Sequence, residues 1–142
     1  MPSPSSTFVF PRCGLEVSNR AVVAAMTNKQ SNLDGTLSEE EINWLLRRAE
    51  GGFGIVTTAA THVVPEGQGW DGEMGVWGDH QLPGLTNLAD GIRERGAVSL
   101  AQIFHGGMRC PQRLTGVQPV SASVNSTSDS DSGETRALEN SE

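Results

Sequence analysis

The chain has 142 residues, a length that sets a prior of one domain, and its 36% hydrophobic and 19% charged residues are ordinary for a soluble protein. The net charge is −7, and five acids against one base in the Ser/Asp-rich residues 121–142 account for more than half of it; neither part has the basic footprint of a nucleic-acid binder. No run approaches the ~20 apolar residues of a membrane span, and "MPSPSSTFVF" has neither the basic nor the apolar region of a secretory signal, so the expected compartment is the cytoplasm.

In chain order, residues 1–7 are Pro/Ser-rich and read as a disordered N-terminus. "TFVFPRCGLEVSNR" alternates apolar residues around Cys13-Gly14, as a short hairpin or extended lead-in does. "AVVAAMT" (21–27) is the first buried strand, followed by a polar loop over 28–35. Ser38 with Glu41 three residues on is a capping box that starts a helix. Ile42, Leu45, Leu46 and Ala49 form its apolar face, Arg47 and Arg48 suit its last turns, and Gly51-Gly52 end it. "GIVTTAA" (54–60) is a second buried strand, and a long Gly-rich loop with Trp70 and Trp77 follows. A second helix is expected from Leu85 to Arg95, with Leu85, Leu88, Ala89 and Ile92 inward and Gly96 as its stop. "AVSLAQIF" (97–104) is the third strand. Cys13 and Cys110 fit no CxxC pattern and read as free thiols in a reducing compartment. Few apolar residues occur in 121–142, which reads as a flexible tail, leaving 8–120 as the folded part.

Strand, helix, strand, helix, strand, with each strand a nearly continuous apolar run, is the pattern of parallel strands covered by helices. The helices run into the next strand almost without a loop. The connections after the strands are longer and more polar, and in parallel α/β folds ligands bind on that side. Three strand ends converge there: Ala25-Met26-Thr27, Ala59-Ala60-Thr61 and Gln102-Ile103-Phe104-His105. Small residues let a flat ligand approach the backbone, and an amide suits a heterocycle with a C=O/N–H edge. No Ser/His/Asp order makes a triad and no spacing suits a metal. His62, His80 and His105 are scattered, and "GGFG" (51–54) closes a helix rather than opening one. Trp70 and Trp77 read equally as lid and as packing.

Several pieces in order, "NR" before the first strand, "MT" at its end, the "RAEGG.G" helix exit, "AATHV.PEG" and "QIFHGG", closely resemble the N-terminal part of the Old Yellow Enzyme family of FMN-dependent NAD(P)H:flavin oxidoreductases, over about residues 8–123. The resemblance implies an α/β fold that is an incomplete (β/α)8 TIM barrel of about three βα units. It implies FMN on the carboxyl-end face of the strands, with NAD(P)H as electron donor. By position, Ala25, Met26 and Thr27 would line the flavin, with Thr27 or its amide near O4. Ala60 would pass its backbone close to the ring, and Gln102 would bond the pyrimidine edge. Phe104 would face the substrate pocket, and His105 would be structural rather than a proton donor. The resemblance assigns no catalytic residue and no metal to this chain.

The sequence departs from the family in extent. Such barrels need roughly 200 residues or more, and the family's acceptor-binding pair, its tyrosine proton donor and its phosphate loops have no counterpart in a chain without tyrosine. Met108 stands where the family has Arg, and Arg109 follows. Two readings stay open. One is an oxidoreductase transferring hydride from NAD(P)H through FMN to an electron-poor alkene or similar small acceptor, represented by a truncated chain inactive alone. The other is a non-catalytic remnant, or a binding module that needs a complementing chain or a second copy. Either way the first and third strands are expected to keep an unpaired edge.

Overall fold

The structure is a computed structural model and describes residues 2–126 and 134–139. The lead-in is a hairpin: β1 (Phe8–Val9) pairs antiparallel with β2 (Glu16–Val17), and Phe10 N–H donates to Leu15 O at 2.8 Å. Arg20 lies 4.7 Å over the Phe8 ring, and its backbone N–H donates to Pro4 O, which ties down the segment read as frayed. Phe8, Phe10 and Val17 face Val22 and Ile55, so the hairpin closes the end of the sheet where its strands begin.

Two successive crossover units build the sheet. β3 (Val22–Val23) leads through α1 (Glu39–Glu50) to β4 (Ile55–His62), and β4 leads through the short β5 (Met74–Gly75) and α2 (Leu82–Glu94) to β6 (Val98–Phe104). All pairings of β4 are parallel. β6 occupies one edge along its length, whereas β3 takes the other edge at Ile55–Val56 and β5 takes it at Thr61–His62. This is three strands of a parallel barrel wall, as the βαβαβ pattern predicts. β6 has no neighbour on its outer edge among the described residues, and Leu100 (48% exposed) and Ile103 (72%) stand open there.

The helices cover one face of the wall. Val23, Leu45, Ala49, Val56, Leu88, Ile92 and Ala97 form the core, with Ile42 and Leu46 packed against it. For α1 this is the apolar face the periodicity selects; for α2 Leu88 and Ile92 enter the core, whereas Leu85 and Ala89 are only half-buried. Each fully buried Leu or Ile contributes roughly 1.5–3 kcal/mol of burial. Gly91 lies against Leu46: a Cβ there would meet Leu46 Cδ2 at 2.7 Å, so a larger residue would require that side chain to shift.

Three boundaries differ from the sequence reading. β3 is two residues long rather than seven, because β4 alone flanks it and their pairing stops at Val23. α2 begins at Leu82, three residues before the first periodic position: a 3-10 turn over Asp79–Gln81 feeds it, and Pro83 fits a first helical turn, where an N–H has no partner anyway. In the stretch read as a flexible tail, β7 (Val120–Ser121) pairs parallel with β8 (Arg136–Ala137), and Thr135 is buried, its hydroxyl taking the Asn125 N–H at 2.9 Å. Residues 127–133 and 140–142 lie outside the described residues, so that part of the tail reading falls outside them too. No helix among the described residues is long and apolar enough to cross a membrane.

Candidate functional site

The carboxyl ends of β3, β4 and β6 point the same way and deliver Thr27, Ala60 and Gln102 to one end of the wall. Ala60 and Gln102 are ladder partners, as are Thr61 with Ile103 and His62 with Phe104. Register is interrupted just before them: Thr57 pairs with Leu100 but Ala60 pairs with Gln102, so Thr58 and Ala59 oppose Ala101 alone. Such a bulge bends a strand and re-aims its side chains. Its open ladder position is filled by a side chain, since the Gln102 N–H donates to the buried Thr58 Oγ1 at 3.2 Å and that hydroxyl donates to Ala59 O at 2.7 Å. The backbone of Gln102 is thereby fixed, while its carboxamide is exposed and has no hydrogen-bond partner among the described residues.

The loops leaving these strands are held by buried polar groups. Ser38 caps α1 by accepting the Glu41 N–H at 3.1 Å, but the Glu41 side chain does not return to Ser38 as a capping box requires. It is wholly buried and accepts from Asn28 Nδ2 at 2.9 Å and from Ser31 Oγ, anchoring the loop that carries Met26 and Thr27. The next loop docks on this one: Gly72, at φ 75°, would bring a Cβ within 2.8 Å of Lys29 O. Gln81 accepts from the Trp77 and Gly78 N–H groups at 2.8 and 3.1 Å.

A second buried polar group lies beneath. Trp77 Nε1–H donates to His62 Nε2 at 3.0 Å, and His62 Nδ1 is 3.8 Å from Glu73 Oε2. Burial holds His62 below its ordinary pKa, pushes Glu73 up to about 7, and raises the nearby Cys110 thiol to about 11, with the Glu73 charge adding to the effect on Cys110. Phe104 meets Trp70 at a ring separation of 5.4 Å. These rings, with Gly69, Arg109 and Pro111, line a cleft of about 420 Å³. A wider cleft of about 620 Å³ lies beside His105 and Met108.

Of the residues singled out by sequence, Ala60 and Gln102 are adjacent, and Ala25, Met26 and Thr27 follow β3 at the same end; Met26 is 51% exposed. Phe104 contributes to the aromatic wall. His105 Nδ1 accepts the Gly107 N–H at 2.9 Å, and its ring stacks where a Cβ on Gly67 would sit, which is a structural part. Trp70 faces the cleft, whereas Trp77 is 39% exposed and is tied by its Nε1–H to His62. The anchoring parts of Thr58, Glu41 and Glu73 escaped the sequence reading. A Glu between glycines in "DGEMG" is the one trace Glu73 left there.

A sequence model of the NADH:flavin oxidoreductase / NADH oxidase family matches residues 14–142. The protein named "Probable NADH-dependent flavin oxidoreductase YqiG" of Bacillus subtilis is 39% identical over 109 residues, which is 77% of this chain and 29% of that one. The NADH:acrylate oxidoreductase of Vibrio harveyi is 37% identical over 111 residues, 78% of this chain and 11% of that one. Among solved structures, the old yellow enzyme homologue of Zymomonas mobilis superposes with a TM-score of 0.87 at 25% identity, over 99% of this chain and 41% of its own. The chain therefore spans less than a third of these curated relatives and under half of the solved barrel. On this match, with the parallel wall, the chain belongs to the NADH:flavin oxidoreductase family and forms part of an Old Yellow Enzyme-type barrel.

Proposed function

We propose that this chain provides a flavin-facing part of an NAD(P)H-dependent FMN oxidoreductase that reduces an electron-poor alkene or a similar small acceptor. The observation that carries the reading is the Gln102 carboxamide: its backbone is pinned by Thr58, its side chain has no hydrogen-bond partner among the described residues, and Ala60 beside it leaves room for a flat ring. An amide offers both a donor and an acceptor, which matches the pyrimidine edge of a flavin. The residues present fit the group. Gln102 would hold that edge, Ala60 and Ala25 would let the ring approach the backbone, Met26 and Thr27 would line it, and Phe104 would bound the acceptor. Bound FMN would supply hydride acceptance and delivery; a donor at its pyrimidine side favours the negative charge that reduction places there.

The open outer edge of β6 supports a further part of the reading. The wall is completed by additional strands, from the same polypeptide, a second copy or a complementing chain, and turnover needs them. Titration of the chain with FMN, followed by flavin fluorescence, tests the proposal. Binding is expected, and Gln102→Leu is expected to weaken it about 5- to 30-fold, the equivalent of ~1–2 kcal/mol for one lost polar contact. Absence of binding, or binding indifferent to Gln102→Leu, would refute it.

A further inference from the structure

Glu73 is 1% exposed, and its nearest ionisable neighbours are His62 on β4 and Cys110 beyond β6, both kept neutral by burial. A carboxyl group in such a place is costly, and an apolar side chain would serve packing better. What it does is visible in its contacts. Oε2 accepts the Gly69 N–H at 2.6 Å, the neighbouring Trp70 N–H is close enough to favour the charged carboxylate, and Oε1 is buried without a partner among the described residues. Gly69 is wedged between this group and the aromatic wall: a Cβ on it would lie 3.2 Å from the Phe104 ring and 3.6 Å from Glu73 Oε2. Trp70 is the next residue and leans on Phe104.

We infer that Glu73 is a positioning residue for the ligand face: by holding the Gly69 amide it fixes the turn that sets the adjacent Trp70 ring against Phe104, and so shapes the cleft these residues share with Arg109 and Pro111. The consequence for a ligand rests on the reading of that face given under Proposed function; the hold on the turn does not.

Protonation sets the strength of that hold. Burial raises the Glu73 carboxyl to about 7 against the pull of the Gly69 and Trp70 N–H groups, whereas in an opened, solvated turn it would ionise near 4.5. The closed turn therefore binds the proton more tightly and is favoured in acid, and it opens more as pH rises through 7.

Amide hydrogen exchange of the full 142-residue chain, corrected for the intrinsic pH dependence of exchange, reads this directly. Between pH 5.5 and 8 the protection of the Gly69 amide is expected to fall roughly ten- to thirty-fold. Glu73→Gln keeps an acceptor and loses the titration, so protection persists and becomes independent of pH. Glu73→Ala removes protection at the Gly69 amide while those of the β4–β6 ladder keep theirs. The inference is overturned if the Gly69 amide is unprotected in the native chain, if Glu73→Gln retains the pH dependence, or if Glu73→Ala leaves that amide protected. FMN titration of the same variants separates the two claims. Exchange as expected without FMN binding leaves the positioning role and removes the flavin reading, and FMN binding with the wrong exchange pattern does the reverse.

Discussion

Thr58→Val tests the arrangement that presents Gln102. Valine has nearly the same shape as threonine, so the substitution exchanges a hydroxyl for a methyl without opening a cavity. It deletes the acceptor of the Gln102 N–H (3.2 Å) and the donor to Ala59 O (2.7 Å) at a side chain only 5% exposed. A hydrogen bond lost with a partner left unpaired costs about 1–3 kcal/mol. Gln102 itself is exposed and its N–H can recover water, which puts the expected loss at about 1–2 kcal/mol, or a Tm lower by roughly 3–8 °C. Thr58→Ser keeps the hydroxyl and loses a methyl, at about 0.8 kcal/mol. The two variants can thus resemble each other in stability, and amide exchange at Gln102 separates them. Protection should drop in Thr58→Val and hold in Thr58→Ser. Equal protection of that amide in native and valine chains would show that the bulge is held by something other than Thr58.

Two further outcomes follow from burial. Leu45→Ala empties a fully buried position between α1 and the sheet and should cost about 2–5 kcal/mol by urea denaturation, with a smaller value signalling collapse of the helix pair into the space. The stability profile against pH has two opposed contributions. The folded-state pKa of Glu73 is raised, so its contribution is full below about 4.5 and is lost as pH rises through about 7. That of His62 is lowered, so its contribution is present above 6.5 and is lost as pH falls. Urea midpoints should therefore decline from pH 6.5 to 8 in the native chain. In Glu73→Gln that decline should vanish while the acid decline from His62 stays, and an unchanged alkaline limb in this variant would refute the assignment.

What the sequence made legible was whatever is written in period and punctuation. The apolar faces of α1 and α2, the helix stops and the parallel order of β3, β4 and β6 all follow from side chains whose burial is local to their own element. Ser38 was legible as a cap for the same reason, because its partner is three residues away. Glu41 was misread in its second half: spacing suggests a bond back to Ser38, but Asn28 and Ser31 lie nearer in space and claim the carboxylate. Thr58 is illegible because its partner, Gln102, lies 44 residues away and meets it only once the sheet has registered; the Glu73 partner, Gly69, is four residues away, but in a Gly-rich loop with no period or cap pattern to mark the bond. The tail was misjudged in part because a Ser/Thr-rich segment can be ordered by hydrogen bonds rather than by apolar burial, as Thr135 and Asn125 show.

The division of labour between the two ends of the wall has a physical reason. The helix-covered core and the hairpin at the strand beginnings are apolar, and apolar packing is non-directional: it tolerates any arrangement that excludes water. A face that must present an amide and an aromatic wall at defined positions needs directional contacts. The buried polar residues gather accordingly at the other end, with Glu41, Thr58, His62, Glu73 and Gln81 each fixing a loop or strand terminus by a hydrogen bond to a named donor or acceptor. Such groups are expensive when half satisfied, and two of them are: His62 Nδ1 and Glu73 Oε1 have no partner among the described residues. That stability is given up beneath the Trp70–Phe104 wall, and not under the hairpin, argues that the buried carboxyl and imidazole serve the geometry of this wall.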